Sequence, residues 1–262
     1  MRRPGEPTGR RAGPAVVNRT SPGSPSTMKP VDLVRLDLQR WNDFMAFVDQ
    51  RRATNWVFRG MGSPSWDYTP TIGRLGTDYR LTEEIRVFNA FKKSAGLHLP
   101  TLPTNDWDWL ALAQHYGLPT RLLDWTTNPL VAAFFAVASG PADDSAFIYA
   151  HQVTEADLIE TETATDPFKI TKVGFLLPDR SVARIASQRG LFSVHPVPNQ
   201  AWNPGSFLND RFEVEPQLRR RFRSRLSTLG IDDAHIYADL AGLCQMLKWR
   251  YESGLGIGML TR

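Results

Sequence analysis

A dense group of polar side chains lies between residues 114 and 126. The segment reads Gln-His-Tyr-Gly-Leu-Pro-Thr-Arg-Leu-Leu-Asp-Trp-Thr. Donors, acceptors and both signs of charge are supplied by Gln114, His115, Thr120, Arg121, Asp124 and Thr126. Gly117 and Pro119 set the backbone of the turn, so we expect these side chains to be held in a fixed arrangement. A buried, unmatched charge is costly. The polar groups must therefore pair with one another or with a ligand.

Two chemical roles follow from the residue types in this segment. Histidine side chains ordinarily titrate near neutral pH, so His115 and Asp124 are the candidate catalytic groups, either of them acting as a general base. Arg121 is a candidate anion donor, because its planar guanidinium bonds phosphate or carboxylate with two N–H groups, and Gln114 and Thr120 are candidate ligand-binding groups. The alternative is structural, with Arg121 and Asp124 forming a buried ion pair that fixes the turn.

Two further segments carry polar residues among apolar ones. Residues 55–59 read Asn-Trp-Val-Phe-Arg and predict a short strand that ends in Arg59, followed by Gly60. Residues 184–192 read Arg-Ile-Ala-Ser-Gln-Arg-Gly-Leu-Phe and contain Gln188. Arg59 is a second candidate anion donor, or a cap for nearby carbonyl groups, and Gln188 is a candidate amide ligand.

Taken together, these segments resemble the FRG domain family, named for its Phe/Tyr-Arg-Gly tripeptide. Asn128-Pro129-Leu130, followed by Ala133-Phe134-Phe135-Ala136, is similar to the family's next helix, and the resemblance spans roughly residues 50 to 245. It implies a prokaryotic protein of poorly defined biochemical role. It also implies that Arg59, the 114–124 segment and Gln188 belong to one site.

Three hypotheses from different functional classes remain open. The first is a pocket for a compact anionic or nucleotide-like ligand, with or without enzymatic activity on it. The second makes the ligand NAD, because the aromatic-Arg-Gly strand resembles the first motif of arginine-type ADP-ribosyltransferases; the sequence has no convincing Ser-Thr-Ser strand, and Glu213 and Glu215 are its nearest approach to a paired-glutamate loop. The third is a non-enzymatic module that binds nucleic acid or protein.

The third hypothesis depends on a run of arginines in a predicted helix that opens at Glu215-Pro216. The helix is predicted to place Leu218, Phe222, Leu226 and Leu229 inward. Five arginines accompany them: Arg219, Arg220, Arg221, Arg223 and Arg225. Most would lie on the solvated face, where any nucleic-acid contact would be weak and salt-dependent.

The order of predicted elements indicates an α+β fold. Helices are predicted over 31–48, 82–94, 105–116, 128–138, 181–188 and 239–249, and strands over 55–59, 146–153, 174–177 and 191–194. The helix after Asn128-Pro129 is apolar on every side, which predicts a buried central helix. We therefore expect a single mixed domain of short strands and helices around this helix, over residues 29–262.

Composition separates the first 28 residues from the rest. They hold five arginines against one acidic residue, with five prolines and four glycines, whereas residues 29–262 hold 26 basic and 26 acidic groups. The composition of residues 1–28 predicts a disordered leader or a mis-assigned start, in which case Met28 is the true first residue. The remainder is neutral, so a global attraction to nucleic acid or anionic lipid is not expected.

The cysteine and histidine content of the sequence indicates the cellular compartment and the absence of a metal site. The single cysteine, Cys244, allows no intramolecular disulfide and favours a reducing compartment, so we expect a cytoplasmic protein. The five histidines show no metal-ligand spacing, and no metal is expected. The longest apolar stretch, residues 129–138, is too short to cross a bilayer, so no membrane association is expected.

Overall fold

A computed structural model describes residues 29–76, 78–178, 187–205 and 210–256. The predicted leader and most of the helix predicted over 181–188 lie outside these ranges, and both stay predictions. Seven α-helices are present in the described part of the chain. They are α1 (Pro30–Asp49), α2 (Leu81–Ala95), α3 (Asp106–His115), α4 (Pro129–Ala138), α5 (Arg219–Thr228), α6 (Asp233–Tyr237) and α7 (Leu240–Glu252).

Six strands form one antiparallel sheet in the order β4-β5-β2-β1-β3-β6. The strands are β1 (Trp56–Met61), β2 (Leu122–Thr126), β3 (Ala146–Gln152), β4 (Gly174–Leu176), β5 (Gly190–Val194) and β6 (Arg211–Val214). The predicted α+β class is confirmed. The sheet is the part of the architecture that the sequence analysis did not anticipate.

The buried central helix is also confirmed. In α4, Val131, Ala132, Ala133, Phe134 and Ala136 are each at most 1% exposed. They pack with α1, β3, β6 and α5 in the largest apolar cluster. Asn128 caps the helix by accepting a hydrogen bond from the backbone N–H of Leu130, and Pro129 occupies its first turn.

Two other apolar clusters complete the core. One joins α2 and α3 to β2, β4 and β5 and centres on Trp107, Leu110 and Leu122. The other contains Tyr68, Trp125, Tyr149 and Phe175, with Trp202 packed against it. The sheet is therefore covered by apolar side chains from several sequence-distant segments, which fixes where its strand ends lie.

Several local predictions were wrong. Residues 122–126 form a strand rather than part of a turn, and β6 was not predicted. Leu229, expected to be buried, is 56% exposed, because it lies just past the end of α5. The helix predicted from residue 82 begins at Leu81, and its N-cap residue Arg80 makes no side-chain capping bond.

No helix in the described ranges is both long enough and apolar enough to cross a membrane.

Candidate ligand-binding site

The sheet opens between its two central strands. β1 and β2 share one residue pair, Phe58 with Thr126, whereas β1 shares six pairs with β3 and β2 shares five with β5. A cavity of about 490 Å³ lies where the two strands diverge. Its walls come from β1, α3, β2, α4, β5 and the loop after β1.

Arg59 bridges the gap between the diverging strands. Its Nη1 donates to the backbone carbonyl of Asp124, so a side chain takes up a carbonyl that strand pairing would otherwise use. Its Nε is buried and has no hydrogen-bond partner among the described residues. Burial lowers the pKa of the Arg59 guanidinium, and the nearby Asp124 carboxylate opposes that shift.

The residues on either side of Arg59 fix its position. Phe58 is 2% exposed and packs in the core against α4. Gly60 lies under α4, and a Cβ added to it would stand 2.0 Å from the carbonyl oxygen of Ala132. In this tripeptide, Phe58 thus anchors the strand in the core and Arg59 places a cation at the cavity. Gly60 is small enough to let α4 approach the strand.

The end of α3 and the strand β2 bring three of the predicted residues to the same cavity: Gln114, His115 and Asp124. Asn105 caps α3, and Gly117, at φ +85, ends the turn that follows the helix. The amide Nε2 of Gln114 then donates to Asp124 Oδ2 at 3.2 Å, and its Oε1 accepts from Thr120. The two side chains are held together across the cavity wall.

Part of the chain that forms this cavity matches a known protein family. The model of the FRG domain matches residues 54–145. Residues 54–145 are therefore similar to an FRG domain. No match to the chain was found among the curated proteins or among the solved structures. The resemblance inferred from the sequence is confirmed over β1 to α4, and the block at residues 184–192 lies beyond the matched range.

Gln188 nonetheless lines the cavity between β1 and β2. Its Nε2 donates to the carbonyl of Ile236 in α6 at 3.0 Å, and its own carbonyl accepts from Thr126 Oγ1 at 2.6 Å. It therefore connects β2 to α6 at the edge of the cavity. Arg184 lies outside the described residues.

The cavity is not lined by every residue that the sequence analysis selected. Arg121 is fully buried; its Nη2 lies 2.6 Å from Glu84 Oε2 in α2 and 3.1 Å from the Tyr79 hydroxyl. It is not an anion donor of this cavity, since its guanidinium is enclosed by these partners. The ion pair considered between Arg121 and Asp124 is also not formed. Thr120 is 1% exposed and lies behind Gln114.

Several lining residues were missed by the sequence analysis. Trp66, Thr71, Phe135 and Ser139 line the same cavity. Phe135 was expected to be buried like Phe134, but it is only half-buried. Trp66 is 40% exposed in the loop after β1. The turn signal Gly62-Ser63-Pro64 predicts that loop but not the direction of its tryptophan.

The paired glutamates of the transferase hypothesis lie elsewhere. The carbonyl of Glu213 and the carboxylate of Glu215 both accept hydrogen bonds from Arg40 in α1. Neither residue lines the cavity beside Arg59.

The arginine-rich helix α5 is bonded mainly to the protein itself. Arg219 is 6% exposed and donates to the carbonyls of Gly62, Ala136 and Asp144, among others around the end of α4. It is not on the solvated face, because these carbonyls surround its guanidinium. Arg223 lies 2.9 Å from Asp233 Oδ2, and Arg225 lies 2.9 Å from Asp37 Oδ2. Arg220 and Arg221 flank a small groove that also contains Trp249.

Proposed function

We propose that this FRG domain binds a compact anionic or nucleotide-like ligand in the cavity between β1 and β2. The observation that carries the proposal is the state of Arg59. Arg59 lines the cavity with Nη1 bonded to the Asp124 carbonyl, while its Nε has no hydrogen-bond partner among the described residues. A guanidinium binds phosphate or carboxylate by donating from two N–H groups to two oxygens.

The size and composition of the cavity support the same ligand class. Sites for small molecules have volumes of roughly 300 to 1,000 Å³, and this cavity has about 490 Å³. Trp66 and Phe135 provide aromatic surface on which a planar ring can stack. Gln114, His115, Asp124 and Gln188 supply polar groups around it, as small-molecule sites require.

NAD belongs to this ligand class, and Arg59 on β1 is the residue through which the transferase resemblance would act. The positions of Glu213 and Glu215 give that hypothesis no support, since both are bound to Arg40. NAD is therefore one probe of the proposal and not the proposal itself.

The proposal is tested by calorimetry and thermal unfolding of the full chain with AMP, ADP, NAD and ribose 5-phosphate. A probe at a hundred times its Kd stabilises the native state by about 2.7 kcal/mol, and that raises the Tm of a chain of this size by several degrees. We expect at least one probe to do so in the parent protein. Arg59→Gln should abolish this response.

A matched control separates the cavity from general charge effects. Arg86→Gln removes the same charge from an exposed residue that pairs with Glu83 on α2. It should bind the probe as the parent does. If Arg59→Gln proves too unstable to measure, Arg59→Lys keeps the charge but loses the two-oxygen geometry, and should weaken binding. The proposal is wrong if no probe binds, or if the Arg59→Gln and Arg86→Gln variants respond equally to the probe.

A further inference from the structure

The cavity contains a carboxylate whose hydrogen-bonding capacity is only half used. Asp124 Oδ2 accepts from Gln114 Nε2, and no described residue donates to Oδ1. The side chain is exposed at the cavity wall, and its own backbone carbonyl accepts from Arg59. An anion donor and a free carboxylate oxygen therefore face the same space.

The direction of this carboxylate is set by two residues behind it. The hydroxyl of Thr120 donates to Gln114 Oε1 and accepts from the backbone N–H of Leu122 at 3.1 Å. Because the amide oxygen of Gln114 is committed to Thr120, the amide NH₂ must face Asp124 Oδ2 and the carbonyl of Leu122. Thr120 is almost fully buried, so its hydroxyl is shielded from water.

A carboxylate at this place discriminates between ligands. It repels a second anionic group and attracts a hydroxyl or amino N–H, so it favours binding of a ligand that carries a hydrogen-bond donor next to its anionic group. An anion without such a donor makes no favourable contact with this carboxylate.

We propose, on the basis of the proposed function, that the ligand is a phosphorylated sugar or nucleotide whose free hydroxyl donates to Asp124 Oδ1 while its anionic group binds Arg59. Asp124 is then a specificity-determining ligand contact. Gln114 and Thr120 act through it as positioning residues.

The test compares probes that differ only in hydroxyl groups: AMP with 2′,3′-dideoxy-AMP, and ribose 5-phosphate with 2-deoxyribose 5-phosphate. Calorimetry of the full chain should show that the hydroxylated member of a pair binds about tenfold more tightly, the scale of a hydrogen bond to a charged group. Asp124→Ala should bind both members equally. Asp143→Ala, which removes the same charge from an exposed residue outside the cavity, should keep the preference.

Thr120 provides the test of positioning. Thr120→Val should reduce the hydroxyl preference while leaving Arg59-dependent binding of the dideoxy probe unchanged, and Thr120→Ser should restore the preference. A residue that merely supports the fold would change both affinities together.

The outcomes separate this inference from the function on which it rests. Binding that depends on Arg59 but shows no hydroxyl preference, or a preference that survives Asp124→Ala, overturns the inference and leaves the proposed function standing. Failure of every probe to bind, or binding that is independent of Arg59, overturns both.

Discussion

Single residues of the FRG tripeptide have separate physical roles. Phe58 anchors β1 in the core, Arg59 spans the gap to β2, and Gly60 makes room for α4. Because these roles differ, substitutions at neighbouring positions should fail in different ways. Loss of Arg59 should remove ligand binding, whereas a change at Gly60 should affect the fold itself.

We predict that Gly60→Ala destabilises the protein by about 3 kcal/mol or more. The added Cβ would stand 2.0 Å from Ala132 O and 2.5 Å from Ala136 N, and helix backbone cannot yield as a flexible side chain does. Gly96→Ala is the control, because its Cβ would meet only Leu102 Cδ2 at 3.7 Å and its backbone is right-handed helical. Urea unfolding of both variants measures the difference; equal midpoints would contradict the assigned role of Gly60.

Arg121 and Asp124 show where residue-level reasoning reaches its limit. The sequence of residues 114–126 shows that both side chains are charged, but it does not show where each side chain lies in the fold. Arg121 is buried against Glu84, which lies 37 positions away in the sequence, whereas Asp124 faces the cavity. A partner at that distance leaves no local pattern, so a structural arginine and a ligand-facing carboxylate look alike in the sequence.

At the scale of elements, capping residues and apolar runs were informative. Asn105, Asn128 and Asp239 each cap the helix that was predicted after them. β2 was missed because Leu-Leu-Asp-Trp-Thr follows a run of turn residues and does not alternate between apolar and polar. β6 does alternate, with Phe212 and Val214 buried and Arg211 and Glu213 exposed, so its period-2 pattern was a usable signal.

The two phenylalanines of α4 give a prediction at this scale. Phe134 is 1% exposed in the core, and Phe135 is half-buried on the cavity wall. Phe134→Ala should lower the free energy of unfolding by about 3 to 5 kcal/mol, because it leaves a closed cavity. Phe135→Ala should cost clearly less, since solvent can fill the space it leaves.

Chemical unfolding and probe binding distinguish the two variants. Phe135→Ala should weaken the binding of an aromatic nucleotide more than that of ribose 5-phosphate, because only the nucleotide has a ring to stack. Equal destabilisation by both substitutions would show that the two faces of α4 are buried alike.

At the scale of the whole molecule, the site is a product of topology. Arg59, the 114–124 segment and Gln188 come from β1, the α3–β2 connection and the residues before β5, and the strand order places β2 between β1 and β5. The resemblance predicted that these segments meet. The divergence of β1 from β2, which creates the cavity between them, depends on long-range strand pairing and has no local sequence signal.

A buried network on the sheet leads to a last prediction, on the stability of the whole molecule. Trp125 Nε1 donates to Ser193 Oγ at 2.9 Å, and Ser193 Oγ lies 2.9 Å from His195 Nε2. Burial, together with the charges of Arg59 and Arg121, lowers the pKa of His195 to about 3. Burial also lowers the pKa of His151.

The sign of the pH dependence follows from these shifts. An unfolded histidine has a pKa near 6.5, so between about pH 6.5 and pH 3 the unfolded chain binds a proton that native His195 does not. The free energy of unfolding should therefore decrease as the pH is lowered through this window, by up to about 1.4 kcal/mol per pH unit for each such histidine. Urea unfolding at pH 7, 6 and 5 measures the slope. His195→Gln should make this slope shallower, and His151 should keep the slope above zero. His98→Gln, a change at an exposed position, should leave the slope unchanged. Parallel profiles for the parent, His195→Gln and His98→Gln proteins would show that His195 does not couple protonation to folding.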